Sequence, residues 1–191
     1  MPWLSQEDLL QLNFKSIGKN VLISDKASIY NSANISIGNN VRIDDFCVIS
    51  AGEGGIFIGN YIHIAVYCSL IGAGCIRLED YSNLSSRVSV YSSNDDYSGE
   101  FMTNPCVASV FTNVTHANVE IGKHSIVGSG SIILPGVRLE EGVAIGALSL
   151  VNRDCEKFHI YAGTPARKIK KRSDKLLQVE QEFLQLKPER G

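Results

Sequence analysis

The sequence predicts an all-β fold: a parallel β-helix, wound as a three-sided solenoid of about six coils, with a short N-terminal helix and a C-terminal helix. Three observations predict it. Residues 121–156 divide into blocks of six, IGKHSI VGSGSI ILPGVR LEEGVA IGALSL VNRDCE, each opening on Ile, Val or Leu and carrying Ser, Val or Cys fifth. With three blocks per coil, starting at Ile17, Ile37, Ile58, Leu78, Ile121 and Leu139, all eighteen block-opening positions are Ile, Leu or Val. A helical period does not produce that spacing, whereas one flat wall plus one turn per block does. Third, the coil starts are 20, 21, 20, 43 and 18 residues apart, and the excess over 18 can be placed at one point after the third block. One corner of the prism therefore carries every insertion.

Residues 1–16 form an N-terminal helical cap. Ser5 is the expected N-cap with Asp8 three residues on, a pairing that satisfies orphan amides at a helix start. Leu9, Leu10 and Leu12 are then available to cover the open end of the solenoid, which terminal repeats require. Residues 17–156 are the solenoid. First and fifth positions of each block point inward, and the sixth is exposed mid-wall, because side chains alternate along a strand. The large insertion is a loop at residues 96–120. Loops beyond about 15 residues are uncommon in compact domains and usually functional. The fifth positions of the third blocks are Ala33, Glu53, Gly74, Asn94, Val137 and Cys155. Glu53 and Asn94 do not suit an apolar interior, so either the chain has left the regular coil there or they line a site beside the loop. Residues 157–191 are a C-terminal turn and helix. A Gly/Pro turn at 162–167 ends the solenoid, and residues 173–186 read as a helix with Leu176, Val179, Phe183 and Leu186 on one face. That stripe is a cap or a subunit contact. The basic run Arg167, Lys168, Lys170, Lys171 and Arg172 is either a solvated surface or a phosphate site.

Composition removes several classes. The 191 residues carry a net charge of −2, so no overall field draws the chain to nucleic acid. No apolar run is long enough to span a bilayer and no signal peptide is evident, which predicts a cytoplasmic protein. Five cysteines occur without a CxxC; Cys47, Cys68 and Cys155 fall on inward positions and read as buried thiols rather than metal ligands or disulfides.

The segments ILPGV (133–137), AIGALSLVNRD (144–154) and YAGTPARKI (161–169) resemble the hexapeptide-repeat acyltransferases. The nearest groups are the galactoside and maltose acetyltransferases and the sugar O-acetyltransferases of surface-polysaccharide biosynthesis. The resemblance covers residues 17 to about 172. It implies left-handed coiling, against the usual right-handed rule for parallel crossovers. It also implies a homotrimer with the active site between subunits, and acetyl-CoA as co-substrate with no metal. The acceptor it implies is a hydroxyl of a sugar or polysaccharide precursor. Positions matching the family's coenzyme site are Ser129 and Ala147, small residues of one column where a thin pantetheine arm can approach backbone amides. Asn152 and Arg153 stand where the family has a Thr-Lys pair, and Arg167 and Lys170 match its basic residues near the 3′-phosphate, where cationic donors serve a dianion.

Acetyl transfer to a hydroxyl requires a base for the proton and donors for the developing oxyanion. In the family the base is a histidine at the start of the long loop; here that place holds Asn94 or Asp95. Two histidines compete for the role. His63 points outward mid-wall, with Arg42 and Asn83 below and above it in one polar column suited to sugar hydroxyls. His116 lies at the far end of the loop, close to where the chain rejoins the corner. Asp95 is the expected orienter of the imidazole, and Arg42, Asn83 and Asn94 the expected substrate contacts. His124, a turn residue, and His159, in the tail, carry no role. An amine loses its proton more readily than a hydroxyl, so N-acetylation of an amino-sugar nucleotide is the alternative reading. Two rivals share the solenoid: a non-catalytic scaffold, and a γ-type carbonic anhydrase, which needs three histidines on zinc.

Overall fold

In a computed structural model, residues 2–186 are described, and they wind into a three-walled parallel β-solenoid. The first wall stacks Ser16–Ile17, Ile35–Ile37, Ile56–Ile58, Ile76–Leu78, Val119–Ile121 and Arg138–Leu139. The second stacks Val21–Ile23, Val41–Ile43, His63–Ile64, Asn83–Leu84, Ile126–Val127, Ala144–Ile145 and His159–Ala162. The third stacks Ser28–Tyr30, Val48–Ala51, Ser69–Gly72, Ser89–Tyr91, Ile132–Ile133 and Leu150–Val151. The register sets Ile17, Ile37, Ile58, Leu78, Ile121 and Leu139 in one column, as the six-residue frame requires. All but Ile17 of these are buried, and the equivalent columns of the other walls complete one continuous core. Removing one member, as in Ile64→Ala, costs about 2–5 kcal/mol because the stack cannot collapse around the gap.

Two expectations are corrected. The extra residues of the third corner enter before the fifth position of the third block, not after the block. Ile35, Ile56, Ile76 and Val119 therefore take the inward place, while Ala33 and Glu53 are exposed. Asn94 also leaves the core: with Ser93 it pairs antiparallel to Thr115–His116. The physical reason is the one that made Glu53 suspect, since the corner can be lengthened until an apolar residue comes round. Secondly, the wall continues past Glu156. His159–Ala162 adds a partial seventh coil on Ala144–Ile145, and Arg167–Lys171 folds back antiparallel against it. The basic run thus begins on a strand that seals the upper edge of the second wall.

The lower edge is closed by α1 (Gln6–Gln11). Ser5 caps it in a full capping box with Asp8, and Leu9 is buried while Leu10 is 75% exposed. Leu10 therefore adds nothing to the cap; Leu4 and Phe14 pack against the core instead. At the other end α2 (Leu176–Gln185) lies beside the first corner. Val179 and Leu186 of its predicted stripe face solvent, and the residue it buries is Glu180.

Candidate active site

The coils turn at the first corner, and from the second coil on at the second corner too, through one residue with positive φ. On the first corner these are Asn20, Asn40, Tyr61, Tyr81, His124, Gly142 and Phe158. On the second they are Phe46, Tyr67, Arg87, Gly130 and Leu148. Asn and Gly tolerate that backbone, whereas large side chains adopt it at a cost. The second corner changes character along its length. Its lower coils carry Phe46, Tyr67 and Arg87. Its upper coils carry Gly128-Ser129-Gly130, then Gly146-Ala147, then Ala162-Gly163. Leu148, 75% exposed, is the large side chain among them; a Cβ on Gly128 would meet the Ala147 backbone nitrogen at 2.5 Å, so the small residues around it are fixed by coil packing.

The polar column on the second wall forms as predicted: Arg42, His63 and Asn83 are cross-strand neighbours. The residue that organises it is Asp44, which the sequence reading missed. Its side chain is nearly buried, and its two oxygens receive Arg42 Nε at 2.7 Å and meet His63 Nε2 at 2.8 Å. Arg42 also lies over the Trp3 ring, 5.3 Å from its centroid. A signal was present, since Asp44 follows inward Ile43 where a buried carboxylate needs partners. The expected orienter, Asp95, hydrogen-bonds neither imidazole among the described residues. Asp44 holds His63, and Ser93 Oγ meets His116 Nδ1 at 2.8 Å. Wall stacking set the first pair, and the hairpin at the loop base the second.

His116 does fold back to the corner, but on a strand rather than over the wall, and it is exposed. Asp95 directly follows Asn94, on the opposite strand of that hairpin, and is exposed. Its neighbour Asp96 is occupied by a local turn, accepting from Ser98 Oγ and the Gly99 amide. Asp95 and Asn94 stand on the third corner, and Ser85 and Ser86 on the second, with the third wall between them.

The coenzyme positions divide the same way. Ser129 and Ala147 are both exposed on the upper second corner, with the Leu148 amide donating to the Ser129 carbonyl. Arg167 pairs with Ala162 next to that corner, and Lys170 with Ile160 mid-wall. Asn152 and Arg153 are exposed on the third corner. Within one chain the structure brings together Ser129, Ala147 and Arg167, and leaves Asn152 and Arg153 across the third wall.

His124 has a partner the sequence did not announce. Its Nε2 lies 2.9 Å from Glu180 of α2, and Lys123 Nζ lies 2.7 Å from the same carboxylate. Burial pushes the Glu180 carboxyl up, but the hydrogen bonds from Lys123 and His124 outweigh it and hold the group below the usual glutamate value. Arg172 donates to the His124 and Gly142 carbonyls. The three histidines a zinc site would use thus hold separate partners, and among the described residues no cluster of three metal-ligating side chains occurs. The Cys155 thiol is pushed up to about 12 by burial, which leaves it inert. No helix among the described residues is long and apolar enough to cross a membrane.

No protein-family model matches the chain. It is 60% identical over 183 residues to the dTDP-4-amino-4,6-dideoxy-D-glucose acyltransferase of Escherichia coli, across 96% of this chain and 95% of that protein. It is also similar to AntD, an N-acyltransferase from Bacillus cereus solved with dTDP and coenzyme A. The identity is 49% and the TM-score 0.92, over 96% of this chain and 97% of that one. Other forms of AntD hold dTDP-4-amino-4,6-dideoxyglucose or 3-hydroxybutyryl-CoA. Solved variants of it replace an aspartate and a serine that lie ten residues apart in its chain. A maltose O-acetyltransferase from Clostridium difficile matches at 24% identity with a TM-score of 0.60, over 88% of this chain and 75% of that one; this is a likeness of fold.

Proposed function

The chain belongs to the hexapeptide-repeat acyltransferases, and on that premise we propose that it acylates an amine. The donor is an acyl-coenzyme A, acetyl-CoA being the expected one. The acceptor is the amino group of a dTDP-4-amino-4,6-dideoxyhexose. The primary expectation from sequence, transfer to a sugar hydroxyl, gives way to its alternative. The observation that carries this is the nearly full-length match to an acyltransferase of that amino sugar. The loop is consistent with it, because Asn94 and Asp95 stand where O-acetyltransferases place their histidine.

In the reaction the acceptor nitrogen bonds to the thioester carbonyl carbon and the carbon–sulfur bond breaks. The nitrogen sheds one proton and the departing sulfur gains one. An amine needs a proton acceptor close by rather than a strong base. Asp95 is the residue we place there, with Asp96 engaged in its own turn. Ser85 stands ten residues before Asp95, the spacing of the serine and aspartate replaced in AntD, and its hydroxyl supplies a donor for the carbonyl oxygen as charge develops on it. His63, fixed by Asp44, and Arg42 and Asn83 line the acceptor side of the same corner. Ser129, Ala147 and Arg167 fit the coenzyme, the first two by leaving backbone open and the third by its cation.

This assignment requires a second copy. Ser85 and Asp95, like Ala147 and Arg153, lie on opposite edges of the third wall. Packing the second corner of one protomer against the third corner of the next unites both pairs, and three such contacts close a ring. The test supplies acetyl-CoA with either dTDP-4-amino-4,6-dideoxyglucose or maltose and follows thiol release and product mass. Amide formation with the amino sugar alone is expected. Turnover with maltose and none with the amino sugar overturns the reading, and a monomer at working concentration overturns the shared site.

A further inference from the structure

On the coil below the large loop, the third corner is turned by Gly72, Ala73, Gly74 and Cys75, and both ends of the loop rest on it. On the outgoing side the Ala73 amide donates to Ser93 Oγ at 2.7 Å, and Ser92 Oγ donates to the Gly74 carbonyl at 2.8 Å. On the returning side the Cys75 amide donates to Asn118 Oδ1 at 2.9 Å. A Cβ on Gly74 would meet the Ala117 carbonyl oxygen at 2.8 Å, so only a residue without a side chain leaves room for the returning strand.

The two strands are then tied to each other. Ser93–Asn94 pairs antiparallel with Thr115–His116, and the Ala117 amide donates to the Ser92 carbonyl at 3.1 Å. Ser93 Oγ, which already accepts from Ala73, lies 2.8 Å from His116 Nδ1. Its own proton is therefore free for that nitrogen, which makes Nε2 the protonated nitrogen of a neutral imidazole. The result is a chain of three groups, amide to hydroxyl to imidazole, running from the coil below across both strands of the loop base. Asp95 is the first residue past it. Asp96 accepts from Ser98 Oγ and the Gly99 amide, so the loop beyond Asp95 closes on itself, and the tied strand behind Asp95 sets its place.

We propose that Ser93 and His116 are positioning residues for Asp95. The Ala73–Ser93–His116 chain holds the loop base in register and thereby fixes where the Asp95 carboxylate stands against the acceptor amine. A carboxylate that takes a proton must stand within hydrogen-bond reach of it, and a misplacement of about 1 Å can cost about 10²-fold. The proposal rests on Asp95 as the proton acceptor and adds the groups that hold it. It also gives His116 a part that involves no proton transfer with the substrate.

The test is steady-state kinetics with acetyl-CoA and dTDP-4-amino-4,6-dideoxyglucose on Ser93→Ala, Ser93→Thr, His116→Phe, His116→Asn and Asp95→Ala. Molecular mass and thermal unfolding are followed in parallel. Ser93→Ala and His116→Phe are expected to lower kcat by about tenfold with both KM values, the mass and the unfolding temperature unchanged. Ser93→Thr keeps the hydroxyl, and His116→Asn offers an amide oxygen in place of Nδ1, so both should retain most of the wild-type rate. All four should follow the wild-type pH profile of kcat/KM, because Asp95 still takes the proton. Wild-type rates in Ser93→Ala and His116→Phe overturn the positioning role. So does a His116→Asn variant as slow as His116→Phe with an altered pH profile, which would make the imidazole the base. Loss of mass or of unfolding temperature along with the rate, without rescue by the conservative variants, would make the chain a structural tie only. Asp95→Ala separates the two failures. If it keeps the wild-type rate, the proton-acceptor reading fails and this inference with it; if it alone loses rate, that reading stands and only the positioning role falls.

Discussion

The first and second corners of the solenoid share a backbone and differ in what lies over them. Both put bulky side chains at positive-φ turn positions, and both stack those side chains coil upon coil. Over the first corner the chain lays its own α2: Phe183 meets the edges of Tyr61 and Tyr81, and Glu180 is buried against Lys123 and His124. Over the second, among the described residues, no ring or carboxylate covers Phe46, Tyr67 or Arg87. Placing a large residue in that conformation costs roughly 1–3 kcal/mol. On the first corner packing offsets the cost. On the second, nothing within the described residues of one chain offsets it, so the covered edge is where the chain stabilises itself.

The largest expected effect separates the proposed chemistry, where Asp95 on the third corner of one protomer meets the second corner of the next, from everything else. Asp95→Ala should lower kcat by about 10²-fold with the unfolding temperature unchanged, since Asp95 is exposed. His63→Ala and His116→Ala should each cost less than Asp95→Ala when the acceptor is an amine. Steady-state kinetics on the three variants decides this. A histidine variant that loses more than Asp95→Ala would return the base to the imidazole and the reaction to hydroxyl chemistry.

Next comes the ion cluster on the covered side. Glu180→Gln keeps the shape and removes the charge, and should lower stability by about 1–3 kcal/mol, the range of charge-assisted hydrogen bonds, while leaving turnover alone. Because the Glu180 carboxyl is held below the ordinary glutamate value of 4.5, its contribution is present above that pH and is lost as pH falls through the lowered folded value. Denaturation of wild type and variant should therefore differ at neutral pH and converge in acid. A gap that persists at low pH would mean that packing rather than charge holds α2.

The smallest expected effect on binding is at the ring itself. Phe183→Ala should cost about 0.5–1.5 kcal/mol beyond its buried area and leave dTDP binding untouched. A change in dTDP affinity would show that the two corners communicate and would erase the distinction between them.

Local spacing was enough to read the walls. Aliphatic residues at every sixth step must face one axis, whatever the partners, so the coil starts, the insertion corner and the Ser5–Asp8 cap were legible in the chain. The exact entry point of the corner insertions was not, because a corner adjusts its length until Ile35, Ile56 or Ile76 comes round. The second corner was half legible: small residues at 129 and 147 stood out, but nothing in the six-residue spacing singles out Phe46 and Tyr67. Tertiary structure decided the pairings. Asp44 meets His63 nineteen residues on, and Glu180 meets His124 fifty-six residues back. A repeat says which side chains point outward; only the stacking of coils about 4.8 Å apart and the docking of α2 decide which of those outward groups become neighbours.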